Sequence, residues 1–157
     1  MRRSCPRNFT KSLPSLARPI FTHQQQTVLP HRDRLGRRVF LFRAGAWDPY
    51  KVSPSDIFAA NYLLLELVAR EPKSQIAGLV MVVDMSGFTF SQIMHVTTEY
   101  VKSVASIIQN TFPLRFREIH IVRESYLFDL VFQLIKPFLS EVIRSRVLAE
   151  NLFNKQA

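Results

Sequence analysis

Four histidines, one cysteine and twelve Asp/Glu are the side chains of this chain that could do acid, base, nucleophilic or metal chemistry. Nucleophilic hydrolysis needs a Ser or Cys held beside a base. No GxSxG occurs, and Cys5 stands alone among Arg and Pro. His23, His31, His95 and His120 show neither HxxxH nor HExxH spacing, and no CxxC is present, so no metal-ligand set is spelled out. The four glycines are isolated and form neither a GxGxxG nor a phosphate loop. His120 alternates with Ile119 and Ile121, the pattern of a structural histidine on a strand. Asp84 is the most catalytic-looking position, because it closes an apolar run and α/β sites gather at the carboxyl ends of strands. It has no evident partner, and capping of the following loop is its expected role. These residues spell out no catalytic or metal site, so no enzyme, cofactor or metal is expected.

The elements that must position any site follow from spacing. Asp33-Arg34-Leu35-Gly36 reads as a turn, and the β-rich run Arg38 to Arg43 as a strand. Ser53-Pro54-Ser55-Asp56 is a strong helix start: a capping hydroxyl, a proline at the first helical position and an acid three residues after the cap. Ile57, Asn61, Leu64 and Val68 then share one face, with Phe58 and Leu65 beside it, and Glu71-Pro72 ends the helix. Ala77 to Val83 is a near-continuous apolar run, which is what a central parallel strand looks like. Ser91 to Asn110 reads as one helix with Ile93, Val96, Tyr100, Val104 and Ile107/Ile108 inward, stopped by Phe112-Pro113. Glu118 to Arg123 is a third strand and Tyr126 to Lys136 a third helix. Pro137 starts or kinks a fourth helix that runs to about Arg146. The β-α-β-α-β-α order implies an α/β fold with a mainly parallel sheet and helical crossovers.

Charge narrows the partners. Residues 1–38 hold nine Lys/Arg and one acid, Asp33, for a net of +8, while residues 39–157 hold twelve and eleven, for +1. The globular part is nearly neutral, so a basic surface for DNA or RNA is not expected. Residues 1–27 form a basic head with Pro6, Pro14 and Pro19, read as a disordered tail in preference to a transit peptide. A lone cysteine points to a reducing compartment. No apolar run approaches the roughly 18 residues of a spanning helix.

Four stretches, Leu29–Pro49, Gly78–Gln92, Asn110–Val122 and Leu134–Arg146, resemble the CRAL-TRIO lipid-binding domain family, in its tocopherol-transfer branch. They span about 120 residues in the right order. The resemblance implies an α/β sheet flooring a deep apolar pocket, a helical lid over it, and binding and intracellular transfer of a lipophilic molecule of the tocopherol, retinoid or phospholipid kind. The implied pocket residues are Phe58, Leu79, Val83, Ile107, Ile108, Phe112, Leu114 and Ile119. Two serines that face the ligand in the tocopherol carrier fall at Asn61 and Leu65. The implied lid covers Arg123–Arg146, with Phe128, Val131, Leu134 and Leu139 meeting a membrane. Arg115, Arg117, Lys136 and Arg146 match a basic cluster for phosphoinositide head groups, and one lysine of that cluster is Val142 here. A cytoplasmic, transiently membrane-associated carrier is the implied setting.

Three departures accompany the resemblance. The family's helical N-terminal module is replaced by the basic head. Its lid-leading motif is Arg123-Glu124-Ser125. After Val147 the family continues into further strand and helix, where this chain has Leu148-Ala149-Glu150-Asn151-Leu152-Phe153. The organisation expected is therefore a head over 1–27, a partial lipid-binding domain over 28–147, and a divergent tail over 148–157. Loss of sheet and closing helix would leave an apolar strand edge open, which invites aggregation. A truncated fragment that interacts or regulates without binding lipid is the alternative reading.

Overall fold

The computed structural model describes residues 25–123 and 126–149. Five strands form one sheet in chain order: β1 (Gln26–Val28), β2 (Arg38–Arg43), β3 (Leu79–Asp84), β4 (Phe116–Val122) and β5 (Val147–Ala149). β1 is antiparallel to β2, and all other neighbours are parallel. The mainly parallel α/β architecture expected from the element order is present. β3 lies at the centre because its run LVMVVD is apolar on both faces.

Register sorts the side chains. Phe40, Met81, Ile119 and Val147 form one row across the sheet, and Phe42, Val83 and Ile121 another on the same face. The helices cover this face. They are α1 (Pro54–Ala69), α2 (Pro72–Ala77), α3 (Phe90–Met94), α4 (Thr98–Ser106), α5 (Tyr126–Ile135) and α6 (Glu141–Ser145). Leu65, Val68 and Ala69 of α1, Ala105 of α4 and Phe128 of α5 join Phe40, Leu79, Phe116 and Ile119 in one buried cluster. Val39, Leu41, Val80, Val82 and Val122, on the opposite face, stand outside that cluster.

α1 begins as its sequence dictates: Ser53 Oγ accepts from the Asp56 N–H, and Pro54 takes the first helical position. Four boundaries differ from the sequence expectation. Pro72, which ends α1, also starts α2, so Ala77 is helical and the strand begins at Leu79. Gly78 makes the turn between them at φ 90°, and a Cβ there would come within 2.7 Å of the Arg115 carbonyl oxygen. The single helix expected over 91–110 is three pieces. Gln92 is drawn into the core, where its Nε2 donates to the carbonyls of Ala44 and Trp47 at 3.2 and 2.5 Å. Thr97 then caps a fresh helix by accepting from the Tyr100 N–H, and α4 widens into a π turn over Ile107–Thr111. Pro137 sits in a 3-10 turn, Lys136–Phe138, and Ser140 caps α6 separately.

Strand pairing runs past residues 27 and 147 at the two ends of the sheet. Gln26 and Thr27, assigned to the head, pair with Phe42 and Leu41. Leu148 and Ala149, assigned to the tail, pair with His120 and Ile121. The central apolar strand is paired on both sides, by β2 and β4, and the sheet's two edges are the three-residue strands β1 and β5. Residues 1–24, with Cys5 and His23, the lid-leading Glu124 and Ser125, and residues 150–157 lie outside the described residues.

The amino end of the sheet is pinned by one carboxylate. Glu71, between α1 and α2, accepts from Arg38 Nη2 and Nε at 2.7 and 2.9 Å, from Arg32 Nη2 at 2.8 Å and from Ser74 Oγ at 2.7 Å. The hydrogen bonds from Arg38, against partial desolvation, hold its carboxyl down at about 2. A depressed folded-state pKa stabilises the fold above the ordinary value near 4.5, and that contribution is lost as pH falls from there through about 2. Glu71→Gln should thus cost roughly 1.5–3 kcal/mol at neutral pH. In urea unfolding the gap between wild type and variant should close as pH falls below 4.5; a gap independent of pH would contradict this role.

Candidate functional site

Parallel strands spread their carboxyl ends, and here the covering helices do not fill the space. A cavity of about 200 Å³ lies over the carboxyl half of the sheet. Its floor is Phe42, Met81, Val83, Ile119, Ile121 and Val147. Tyr100, Val101 and Val104 of α4 and Ile108 of the π turn form one wall, with Asn61 of α1. Phe128, Val131, Phe132 and Ile135 of α5, followed by Leu139, form the other. The Phe128 and Phe132 rings stack at 5.6 Å. Trp47, Phe88 and Val96 close one end; the Trp47 Nε1–H is satisfied by the Val52 carbonyl at 2.7 Å, leaving the indole as apolar surface.

Two polar groups interrupt this lining. Asn61 Oδ1 is fully buried and has no hydrogen-bond partner. Burial pushes the Tyr100 phenol up to about 12, so it is a neutral hydroxyl at physiological pH. A neutral, apolar chamber with one unpaired acceptor suits a lipophile that carries a hydrogen-bonding group.

Asn61, Val83, Ile108 and Ile119 line the cavity as the family resemblance implied. The other six implied pocket residues lie elsewhere. Leu65, Leu79, Ile107 and Leu114 are buried in the main core, and Phe58 and Phe112 pack against it. Leu79 shows the reason: it points to the cavity face but pairs with Arg38 and Phe116 at the amino end of the sheet. Met81 and Ile121, missed earlier, share a face with Val83 and Ile119 by the two-residue strand period, so that signal was present. Tyr100 and Val104 were on the helix face read as inward. Trp47 sits in a loop and carries no periodic signal.

The residues implied to meet a membrane divide between the cavity and the surface. Phe128, Val131 and Leu139 face the cavity, and Leu134 alone is exposed. An exposed stripe runs instead through Tyr126, Leu130, Leu134, Phe138 and Val142, at 37 to 78% exposure. Four-residue spacing puts Tyr126, Leu130 and Leu134 in one line on α5, and Phe138 and Val142 follow in the 3-10 turn and in α6. α5 is apolar on two faces, so sequence periodicity alone did not say which one is inward. Phe90 and Met94 on α3 are also exposed, between cavity-lining Phe88 and Val96.

Of the basic set, Arg115 and Arg117 flank Phe116, whose carbonyl accepts from Arg146 Nη1 at 3.0 Å. Lys136 is exposed in the 3-10 turn. Among the described residues none of the four makes an ion pair. Asp84 does have partners: its Oδ1 accepts from the Ser86 N–H at 2.9 Å, capping the loop, and from Arg123 Nε at 3.0 Å. His120 Nε2 lies 2.9 Å from Glu118 Oε2. The described residues hold no group of three His, Cys, Asp or Glu placed to bind a metal, and no helix long and apolar enough to cross a membrane.

A family model, the CRAL/TRIO domain, matches residues 22–154. The chain is 35% identical over 145 residues to the alpha-tocopherol transfer protein-like protein of Mus musculus, and 34% identical to that of Homo sapiens. Each match takes in 92% of this chain and 42% of the relative, so the chain spans less than half of their length. It is 36% identical over 120 residues to Clavesin-1 of Rattus norvegicus, covering 76% of this chain and 34% of that one. The crystal structure of Sfh5 superposes with a TM-score of 0.61 at 18% identity, over 80% of this chain and 46% of that chain, which is a likeness of fold.

The buried, unpaired Asn61 oxygen has a thermodynamic signature. A buried acceptor without a partner costs about 1–3 kcal/mol, so Asn61→Leu should raise the stability of the empty protein by roughly 1–2 kcal/mol. Denaturant midpoints measure this directly. A loss of stability would show that the oxygen is paired in solution.

Proposed function

The chain belongs to the CRAL/TRIO domain family, and on that premise we propose that it binds a lipophilic small molecule and carries it between membranes in the cytoplasm. The carrying observation is the apolar cavity with its single unpaired acceptor, Asn61 Oδ1. Binding draws on burial of apolar ligand surface at ~25 cal/mol per Å². Asn61 accepts a hydrogen bond from the ligand, which favours a tocopherol-like or retinoid-like alcohol, or a phospholipid with its chains inward, over a plain hydrocarbon. No bond is made or broken.

Loading and release take place at a membrane surface. The stripe Tyr126, Leu130, Leu134, Phe138 and Val142 enters the lipid interface, on the outer side of the segment whose inner side forms the cavity wall. Arg115, Arg117, Lys136 and Arg146 meet phosphoinositide head groups, each contributing roughly 1 kcal/mol near an anionic surface. Curated relatives named for tocopherol transfer support this direction. The fragment reading, in which no lipid binds, has the cavity against it.

One assay tests both halves. Donor vesicles carry a fluorescent fatty alcohol, and acceptor vesicles are made with or without a phosphatidylinositol phosphate. The protein should move the alcohol, and faster toward phosphoinositide. Joint replacement Arg115→Ala and Lys136→Ala should remove most of that acceleration, about 2 kcal/mol of attraction or some thirtyfold in surface binding. Absence of transfer contradicts the carrier; transfer indifferent to phosphoinositide contradicts the basic site.

A further inference from the structure

The outer cavity wall, residues 126–145, is held down almost entirely by apolar contact. Among the described residues, only two hydrogen bonds join it to the chain that precedes it. Both are made by Gln109. Its Nε2 donates to the Phe138 carbonyl at 2.9 Å, and its Oε1 accepts from the Ser140 N–H at 2.6 Å. A third bond, from Nε2 to the Ala105 carbonyl at 3.2 Å, anchors the amide to α4. One side chain thus grips the backbone on either side of Leu139, a buried residue of the cavity wall.

Local structure explains how Gln109 reaches. α4 widens into the π turn Ile107–Thr111, in which Ile107 and Ile108 are buried while Gln109 is half-buried. The wider turn directs Ile108 to the cavity and Gln109 to the rim, where it meets the 3-10 turn. Lys102, about two turns earlier on α4, sets its ammonium 5.6 Å from the centre of the Phe138 ring and backs the same contact. Water reaches both Gln109 bonds, and exposed hydrogen bonds are the ones that open locally at low cost.

We propose that Gln109 is a positioning residue that latches the outer wall through Phe138 and Ser140, and so sets the rate at which the cavity exchanges its contents. The inference rests on the carrier reading. Phe138 also belongs to the exposed stripe, so insertion of that ring into a lipid surface would pull on the backbone that Gln109 holds. The latch acts on empty and loaded protein alike, because it touches wall backbone and no ligand. Its loss therefore speeds entry and exit together and leaves affinity nearly unchanged.

The probe for the test is cis-parinarol, a fluorescent polyene fatty alcohol, followed by stopped flow during uptake and during release into phosphatidylcholine vesicles. Gln109→Met keeps the bulk and removes the hydrogen bonds, and Gln109→Ala is its companion. Both should raise the uptake and release rates by about tenfold, the effect of roughly 1.4 kcal/mol on a barrier, with the dissociation constant and melting temperature little changed. Wild-type rates in the Met variant overturn the latch. So does a rise in release alone with matching loss of affinity, since that marks a residue that only stabilises the loaded form. A wild-type protein that takes up no probe removes the carrier reading, and the latch falls with it.

Discussion

A parallel strand must be covered on its faces and paired at its edges, and β3 imposes that demand here. Its six residues are apolar up to Asp84, so neither face nor edge can meet water cheaply. β2 and β4 satisfy the edges. Over the amino half of the sheet, α1 answers on one face with Leu65, Val68 and Ala69 packed on Phe40 and Leu79. Over the carboxyl half, that cover stands away from the floor and the cavity remains. Cavity and core are thus two ends of one packing problem, which is why Leu79 and Val83, four residues apart on one strand, have different surroundings.

Polar groups are distributed according to the same division. At the amino end two carboxylate clusters are bonded: Glu71 joins Arg32, Arg38 and Ser74, and Arg37 bridges Asp33 and Glu118. Those bonds fix the loops that enter the sheet. At the cavity, Asn61 Oδ1 is left unpaired, a cost that a ligand can relieve. The wall opposite Asn61 is joined to the chain that precedes it by apolar packing and one glutamine. One sheet thus carries a charge-bonded amino end and, over its carboxyl half, a cavity wall held by apolar packing and Gln109.

Much of the frame was legible because local chemistry decided it. Ser53-Pro54 fixed the start of α1, and the apolar run before Asp84 marked the central strand. Of the ten pocket residues that the family resemblance implied, Asn61, Val83, Ile108 and Ile119 line the cavity. Strand period would have added Met81 and Ile121. Other features depended on tertiary contacts. Gln92 reaches the carbonyls of Ala44 and Trp47 some forty-five residues away and so breaks a helix that periodicity read as continuous. α5 is apolar on two faces, and only the assembled cavity shows that Phe128 is inward and Leu130 outward. β5 is three residues long, too short to announce itself, and its pairing with β4 runs past residue 147.

The central claim is that an apolar molecule occupies the space beside Trp47. The chain has a single tryptophan, and it lines the cavity with only 6% of its surface exposed. Bromine quenches indole fluorescence at contact. Titration with a terminally brominated decanol should quench Trp47 along a saturable curve, while bromide ion in the buffer leaves it nearly untouched. Quenching by the alcohol that never saturates, or that bromide ion matches, would contradict a lipid-binding cavity.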